Sequence, residues 1–309
     1  MYEHTELDVP WNLYKSCSSR DFGAIRSVRF NEDGTYCMTG GSDKAIRLWN
    51  PVKGLLLKTY LGHGQDVLDV AASFDSSQLA SGSKDQVIMI WDVVTGHTIR
   101  RMREHYGPVN CVVYNLTESS ILVTGSTDSK CHMWDMRTRG SKPVQSLEDA
   151  KDTIMSITTS DHEIITASID CFLRVYDIRR AKLVSDCLGK AVGCCSESRD
   201  KLSILCSCLD SKIRLMDKES GSLLNSYGGH KNNEFKIEST FLTNDSYVVS
   251  GSEDGRLVYW DLITSEVVKQ IPAHKGAVVS LSYSKKLNRL VTASSDGISL
   301  WIGNEEPRT

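Results

Sequence analysis

The sequence predicts an all-β protein, a seven-bladed β-propeller closed by a strand from near the N-terminal end, and three observations predict it. First, a turn ending in aspartate recurs seven times, at Asp43, Asp85, Asp128, Asp170, Asp210, Asp254 and Asp296, so the copies lie 40 to 44 residues apart. Second, Trp49, Trp91, Trp134, Trp260 and Trp301 share one register position after that turn, leaving only Trp11 outside the pattern. Third, apolar residues alternate at period two between Asp- and Gly-bearing turns, and no segment keeps a 3.6 period. A repeat of about 40–45 residues containing four short antiparallel strands is the pattern of one propeller blade.

Each copy divides in the same order. In the first, Ile25, Val28 and Phe30 alternate as an inner strand, and Asn31-Glu32-Asp33-Gly34 turns the chain. Tyr36 to Thr39 forms a second strand, the Ser42-Asp43 turn leads to a third ending at Trp49, and Leu55 to Tyr60 forms a fourth. The same reading sets blades at about 17–60, 61–102, 103–147, 148–187, 188–227, 228–271 and 272–303 within a single domain, 1–309. Too few residues follow Trp301 for a fourth strand, so segment 9–16, including Trp11-Asn12-Leu13-Tyr14, is expected to complete the last blade and leave no open seam.

Composition narrows the class. Hydrophobic residues make up 40% and charged residues 24% of the 309, which excludes collagen-like, low-complexity and disordered readings. No apolar run approaches the ~20 residues that span a bilayer, and the acidic start lacks the apolar core of a secretory signal. A formal charge of −3 gives no overall attraction to nucleic acid or anionic membrane. The expectation is a soluble intracellular protein whose ten cysteines are reduced core thiols. Cys194-Cys195 and Cys206-Ser207-Cys208 lack the spacing of zinc ligand pairs.

The residues of the repeat resemble those of the WD-repeat family. A histidine precedes the first strand at His63, His105, His230 and His274, with Trp91, Trp134, Trp260 and Trp301 following 28, 29, 30 and 27 residues later. The resemblance implies buried networks in which His, a second-strand hydroxyl, the turn Asp and the Trp brace one blade: His63, Asp85 and Trp91; His105, Asp128 and Trp134; His230, Asp254 and Trp260; His274, Asp296 and Trp301. Blades one, four and five lack the histidine, and Tyr176 and Met216 replace Trp in the last two, so the network is expected to be incomplete there and these blades to rest more on apolar packing. The residue types also suit a hydrolytic triad. Repetition opposes that reading, because an enzyme rarely needs four copies of one triad whereas each blade needs its own brace.

Other chemistry is sparse. No phosphate loop, nucleophile elbow or dinucleotide fingerprint is present, and His162-Glu163 lacks the second histidine of a zinc protease helix. No enzyme activity and no cofactor are expected. What remains is the surface around the central channel, where the residue after the first apolar position of each inner strand is expected at one mouth: Arg26, Leu68, Asn110, Met155, Gly193, Lys236 and Val279. Apolar groups with two cations and no acid suit protein recognition better than proton transfer. The polar loop Gly229-His230-Lys231-Asn232-Asn233-Glu234-Phe235-Lys236 adds Phe235 as a contact candidate.

That loop, with Ser252-Glu253-Asp254-Gly255 and Trp260-Asp261-Leu262, is similar to the WD repeat domain-containing protein 83 family, also called the mitogen-activated protein kinase organiser. Ser160-Asp161-His162-Glu163-Ile164, Val28-Arg29-Phe30-Asn31 and Leu48-Trp49-Asn50-Pro51 agree. The likeness implies a monomeric, non-catalytic scaffold in cytoplasm and nucleus. Its implied partners are kinase cascade components, a prolyl hydroxylase of the hypoxia response and spliceosome subunits, without a membrane. Two alternatives stay open: a propeller enzyme with polar groups converging on the channel, and a platform binding a peptide or RNA in a nuclear complex. The net charge counts against direct RNA binding.

Overall fold

The computed structural model describes residues 9–18, 22–115, 119–138, 140–160 and 162–303, and every regular element among them is a strand. The strands form seven four-stranded sheets. Blade one holds Ile25–Phe30, Cys37–Gly41, Ala45–Asn50 and Leu55–Leu61 in sequence order, antiparallel throughout, and the next five blades repeat that order. Blade seven holds Ser280–Ser284, Arg289–Ser294 and Gly297–Ile302, and its fourth strand is Asn12–Ser18, paired antiparallel to Gly297–Ile302. The closing strand thus lies a little further along than 9–16, and Cys17 belongs to blade seven rather than blade one.

The turn aspartate recurs for a local reason. In all seven copies the next residue is left-handed, from Lys44 (φ 70°) and Gln86 (φ 70°) to Gly255 (φ 83°) and Gly297 (φ 146°). In the first six the Asp side chain accepts the backbone N–H two places on, as Asp85 does from Val87 (3.0 Å) and Asp170 from Phe172 (3.1 Å). Such a side-chain turn compensates the cost of the left-handed residue.

The core lies at the seams between blades. At the first seam Met38, Ile46 and Tyr60 of blade one pack on Val67, Val70, Leu79, Met89 and Trp91 of blade two. Near the channel the blades approach closely: a Cβ on Gly82 would stand 2.7 Å from Val109 Cγ1. No helix among the described residues is long and apolar enough to cross a membrane.

Candidate functional site

Three of the four expected braces are formed. In blade two, Trp91 Nε1 donates to Ser81 Oγ (2.9 Å), Ser81 lies 2.7 Å from His63 Nε2, and His63 Nδ1 meets Asp85 (3.1 Å). The indole can only donate, so the serine hydroxyl accepts from it. The Asp85 carboxylate can only accept, so Nδ1 carries a proton, and burial, which lowers the His63 pKa, favours the neutral ring whose Nε2 accepts from Ser81. Thr124 and Thr292 play the serine's part for His105, Asp128 and Trp134 and for His274, Asp296 and Trp301. Burial alone would raise Asp128, but His105 and the N–H groups of Tyr106 and Lys130 bring it down to about 2. The polarity of this chain is that of a hydrolytic triad. Its hydroxyl, however, belongs to a fully buried residue already capped by tryptophan, so no substrate atom can reach it.

The fourth brace, His230 with Asp254 and Trp260, is not formed. Among the described residues neither His230 nitrogen has a hydrogen-bond partner, Asp254 binds Arg256 Nε (2.8 Å), and Trp260 Nε1 donates to Gly228 O (2.8 Å). The loop explains it. His230 lies 24 residues before its aspartate, against 22, 23 and 22 in the braced blades, and a different carboxylate organises the extra length. Glu253 Oε1 accepts the N–H groups of Asn233, Glu234 and Phe235 at 2.7, 2.6 and 3.2 Å.

Blades one, four and five do not rest on packing alone. An arginine four residues after the turn aspartate folds back on it: Arg47 on Asp43, Arg174 on Asp170 (2.7 Å) and Arg214 on Asp210 (2.7 Å). In blade four Lys151 N–H donates to Asp170, as Gly64 N–H does to Asp85, so buried Ala150 occupies the histidine's place and leaves room for the guanidinium. In blade three that arginine position is His132, stacked on His105 with ring centres 4.3 Å apart. His105, Asp128 and His132 have the chemistry of metal ligands, as do His162, Glu163 and Asp177. In the first group the rings are 25° from parallel, so their lone pairs do not converge; in the second Lys218 is paired with Glu163.

At the channel, Arg26, Leu68, Asn110, Met155 and Gly193 each occupy a β-bulge. A bulge re-aims a side chain without breaking the ladder beyond it. Arg26 pairs with Asp66 (3.3 Å), Asn110 Nδ2 donates to Ile154 O (3.0 Å), and Leu68, Met155 and Val279 are half-buried. In blade six Gly251 N–H bonds to Glu238 O, which aligns Ile237 with the bulges and puts Lys236 one place earlier. Lys236 Nζ reaches across to Asn110 O (3.3 Å), while Phe235 stays exposed at 42%.

One residue further along each inner strand lies a ring that the sequence reading missed: Ser27, Asp69, Cys111, Ser156, Cys194, Glu238 and Ser280, all buried. Arg29 closes this waist, reaching Asp69 at 3.0 Å and Glu238 through both terminal nitrogens, at 2.6 and 2.8 Å. Ser27 and Ser280 donate to the same two carboxylates (2.7 Å each). Burial disfavours every charge here, yet Glu238 is held below the usual carboxylate range by Arg29, and Lys236 is held protonated by Asp69 and Glu238. Arg29 and Lys236 against Asp69 and Glu238 make the group neutral. The signal was present as charges inside apolar strands, at Val67-Leu68-Asp69-Val70 and Ile237-Glu238-Ser239.

A closed ring of braced four-stranded blades, with a plugged channel and variable groups on its rim, defines a propeller of the WD class. The WD domain, G-beta repeat family matches residues 12–50, 54–92, 96–135, 221–261 and 265–301. Blades four and five, which carry neither the His nor the Trp, fall largely outside those matches. The chain is 46% identical to WD repeat domain-containing protein 83 of Homo sapiens over 279 residues, covering 90% of this chain and 88% of that one. It is 48% identical to the Xenopus tropicalis protein of that name, covering 91% and 89%, and 32% identical to a Dictyostelium discoideum homolog, covering 93% and 97%. The chain belongs to the WD repeat domain-containing protein 83 family.

Proposed function

We propose that this chain is a non-catalytic scaffold that holds several proteins on a rigid propeller. Its partners would be components of a mitogen-activated protein kinase cascade, a hypoxia-response prolyl hydroxylase and spliceosome subunits, met in cytoplasm and nucleus. The observation that carries the reading is the set of bulge-borne side chains around one channel mouth. They combine apolar groups with Arg26, the mixture that interface centres use, while the triad-like groups beneath them are sealed.

The test is affinity capture of partners from native cells with Arg26→Ala, Met155→Ala and Phe235→Ala combined. Lys236 is kept, because its ammonium balances the channel charge. The variant is expected to melt with the parent and to recover fewer partners. Recovery equal to the parent's would remove this face from the reading.

A further inference from the structure

Two cavities open on the opposite face, among the turns that follow the inner strands. The smaller, about 480 Å³, is lined by Arg199, Lys285 and Lys286 together with Thr243, Tyr283 and Asn288. Arg199 comes from blade five and the lysines from blade seven, so cations from separate blades meet across the turn of blade six. Among the described lining residues of this smaller cavity only Asp245 is acidic, and it accepts the backbone N–H of Arg199 (2.5 Å). The Arg199 guanidinium binds Asn244 Oδ1, and exposed Lys285 makes no ion pair among the described residues. Lys286 meets Glu32 (3.1 Å) and Asp33 (3.7 Å). Thr243 Oγ1 is buried with no partner among the described residues.

The larger cavity, about 570 Å³, shares Tyr283, Lys285 and Lys286 with the first and runs to the channel mouth between Phe30, Phe74, Val113 and Tyr114. Phe74 is 52% exposed, and the buried Tyr114 hydroxyl has no partner among the described residues. Two cations without an ion pair among the described residues, Lys285 and the Arg199 guanidinium, thus adjoin an apolar hollow that Glu32 also lines. A strained turn in blade six lies beside them: Thr243, Asn244 and Asp245 are all left-handed, at φ 43°, 55° and 62°. Non-glycine residues held there cluster at ligand-binding positions.

We infer that the two cavities form one groove for an extended acidic segment of a partner protein. Its carboxylates meet Arg199 and Lys285, and a neighbouring apolar side chain enters between Phe30, Phe74 and Tyr114. The charge complementarity selects the segment's sign, because an incoming carboxylate supplies the counterion that Lys285 and the Arg199 guanidinium lack among the described residues. The inference rests on the scaffold reading only in taking the partner to be a protein.

The intact 309-residue chain is applied to an array of short synthetic peptides in which acidic, basic, amide and apolar residues are varied place by place. Peptides joining acids to one apolar residue are expected to be retained. Arg199→Glu with Lys285→Glu is expected to weaken that retention about tenfold or more, with an unchanged melting curve. Lys182→Glu, an equal kind of charge reversal on an exposed outer strand, is expected to leave it unchanged. Retention of no peptide, preference for basic or uncharged ones, or acidic binding that survives the reversal overturns the groove. So does a single-stranded oligonucleotide that binds more tightly than any peptide. Cellular partners still captured by a chain that retains no peptide would sink the groove alone and leave the scaffold reading standing.

Discussion

His63, His105 and His274 place both ring nitrogens in hydrogen bonds, whereas His230, comparably buried, places neither. Removing a bonded histidine strands a buried carboxylate and a hydroxyl, while removing an unbonded one relieves a desolvated ring. His105→Leu should therefore cost about 2–4 kcal/mol and His230→Leu less than about 1 kcal/mol. Urea unfolding at neutral pH compares them, and equal losses would contradict the unbraced blade six. Burial also sets a pH response, lowering His132 and His230 to about 4. The unfolded chain takes up protons near pH 6.5 that the fold refuses, so this stability is complete above about pH 6.5 and is lost as pH falls toward about 4. His132→Gln should lose less stability than the parent between pH 7 and pH 5; parallel losses would show that His132 does not titrate in this way.

At the scale of the blade, one turn aspartate is served by two kinds of partner. Both place positive or donor character against a carboxylate that the turn itself requires. Arg174 is 4% exposed and reaches Asp170 and Ser168, so Arg174→Ala should cost about 3 kcal/mol, and adding Asp170→Asn should return part of that loss. If the double variant is no more stable than the single, the ion pair is not the brace. The spacing was legible, since Asp43 and Arg47, Asp170 and Arg174, and Asp210 and Arg214 are each four apart. The brace that the resemblance implies is built on histidine and has no arginine in it, and only the folded strand puts position four on the aspartate's side.

For the whole ring, closure depends on the segment before the last blade's outer strand. Val9 is wholly buried among Leu242, Val249, Tyr259 and Trp301, and Tyr259 Oη donates to Pro10 O (3.1 Å). Leu13, in the closing strand itself, is 52% exposed. Val9→Asp should lower stability by about 3 kcal/mol or more through an unpaired buried charge, and Leu13→Asp by less than about 1 kcal/mol. Thermal melting decides, and equal shifts would mean that the N-terminal segment does not clamp the ring. By itself the sequence determined the seven blades, their strand order and the closing strand, because turn chemistry and two-residue alternation act over a few neighbouring residues and repeat. Only the tertiary structure decided that His230 stands unpaired, that Arg29 bridges Asp69 and Glu238, and that cations of blades five and seven meet across blade six. Those contacts join residues from different blades or loop registers, and their energies depend on burial and distance, which no local pattern encodes.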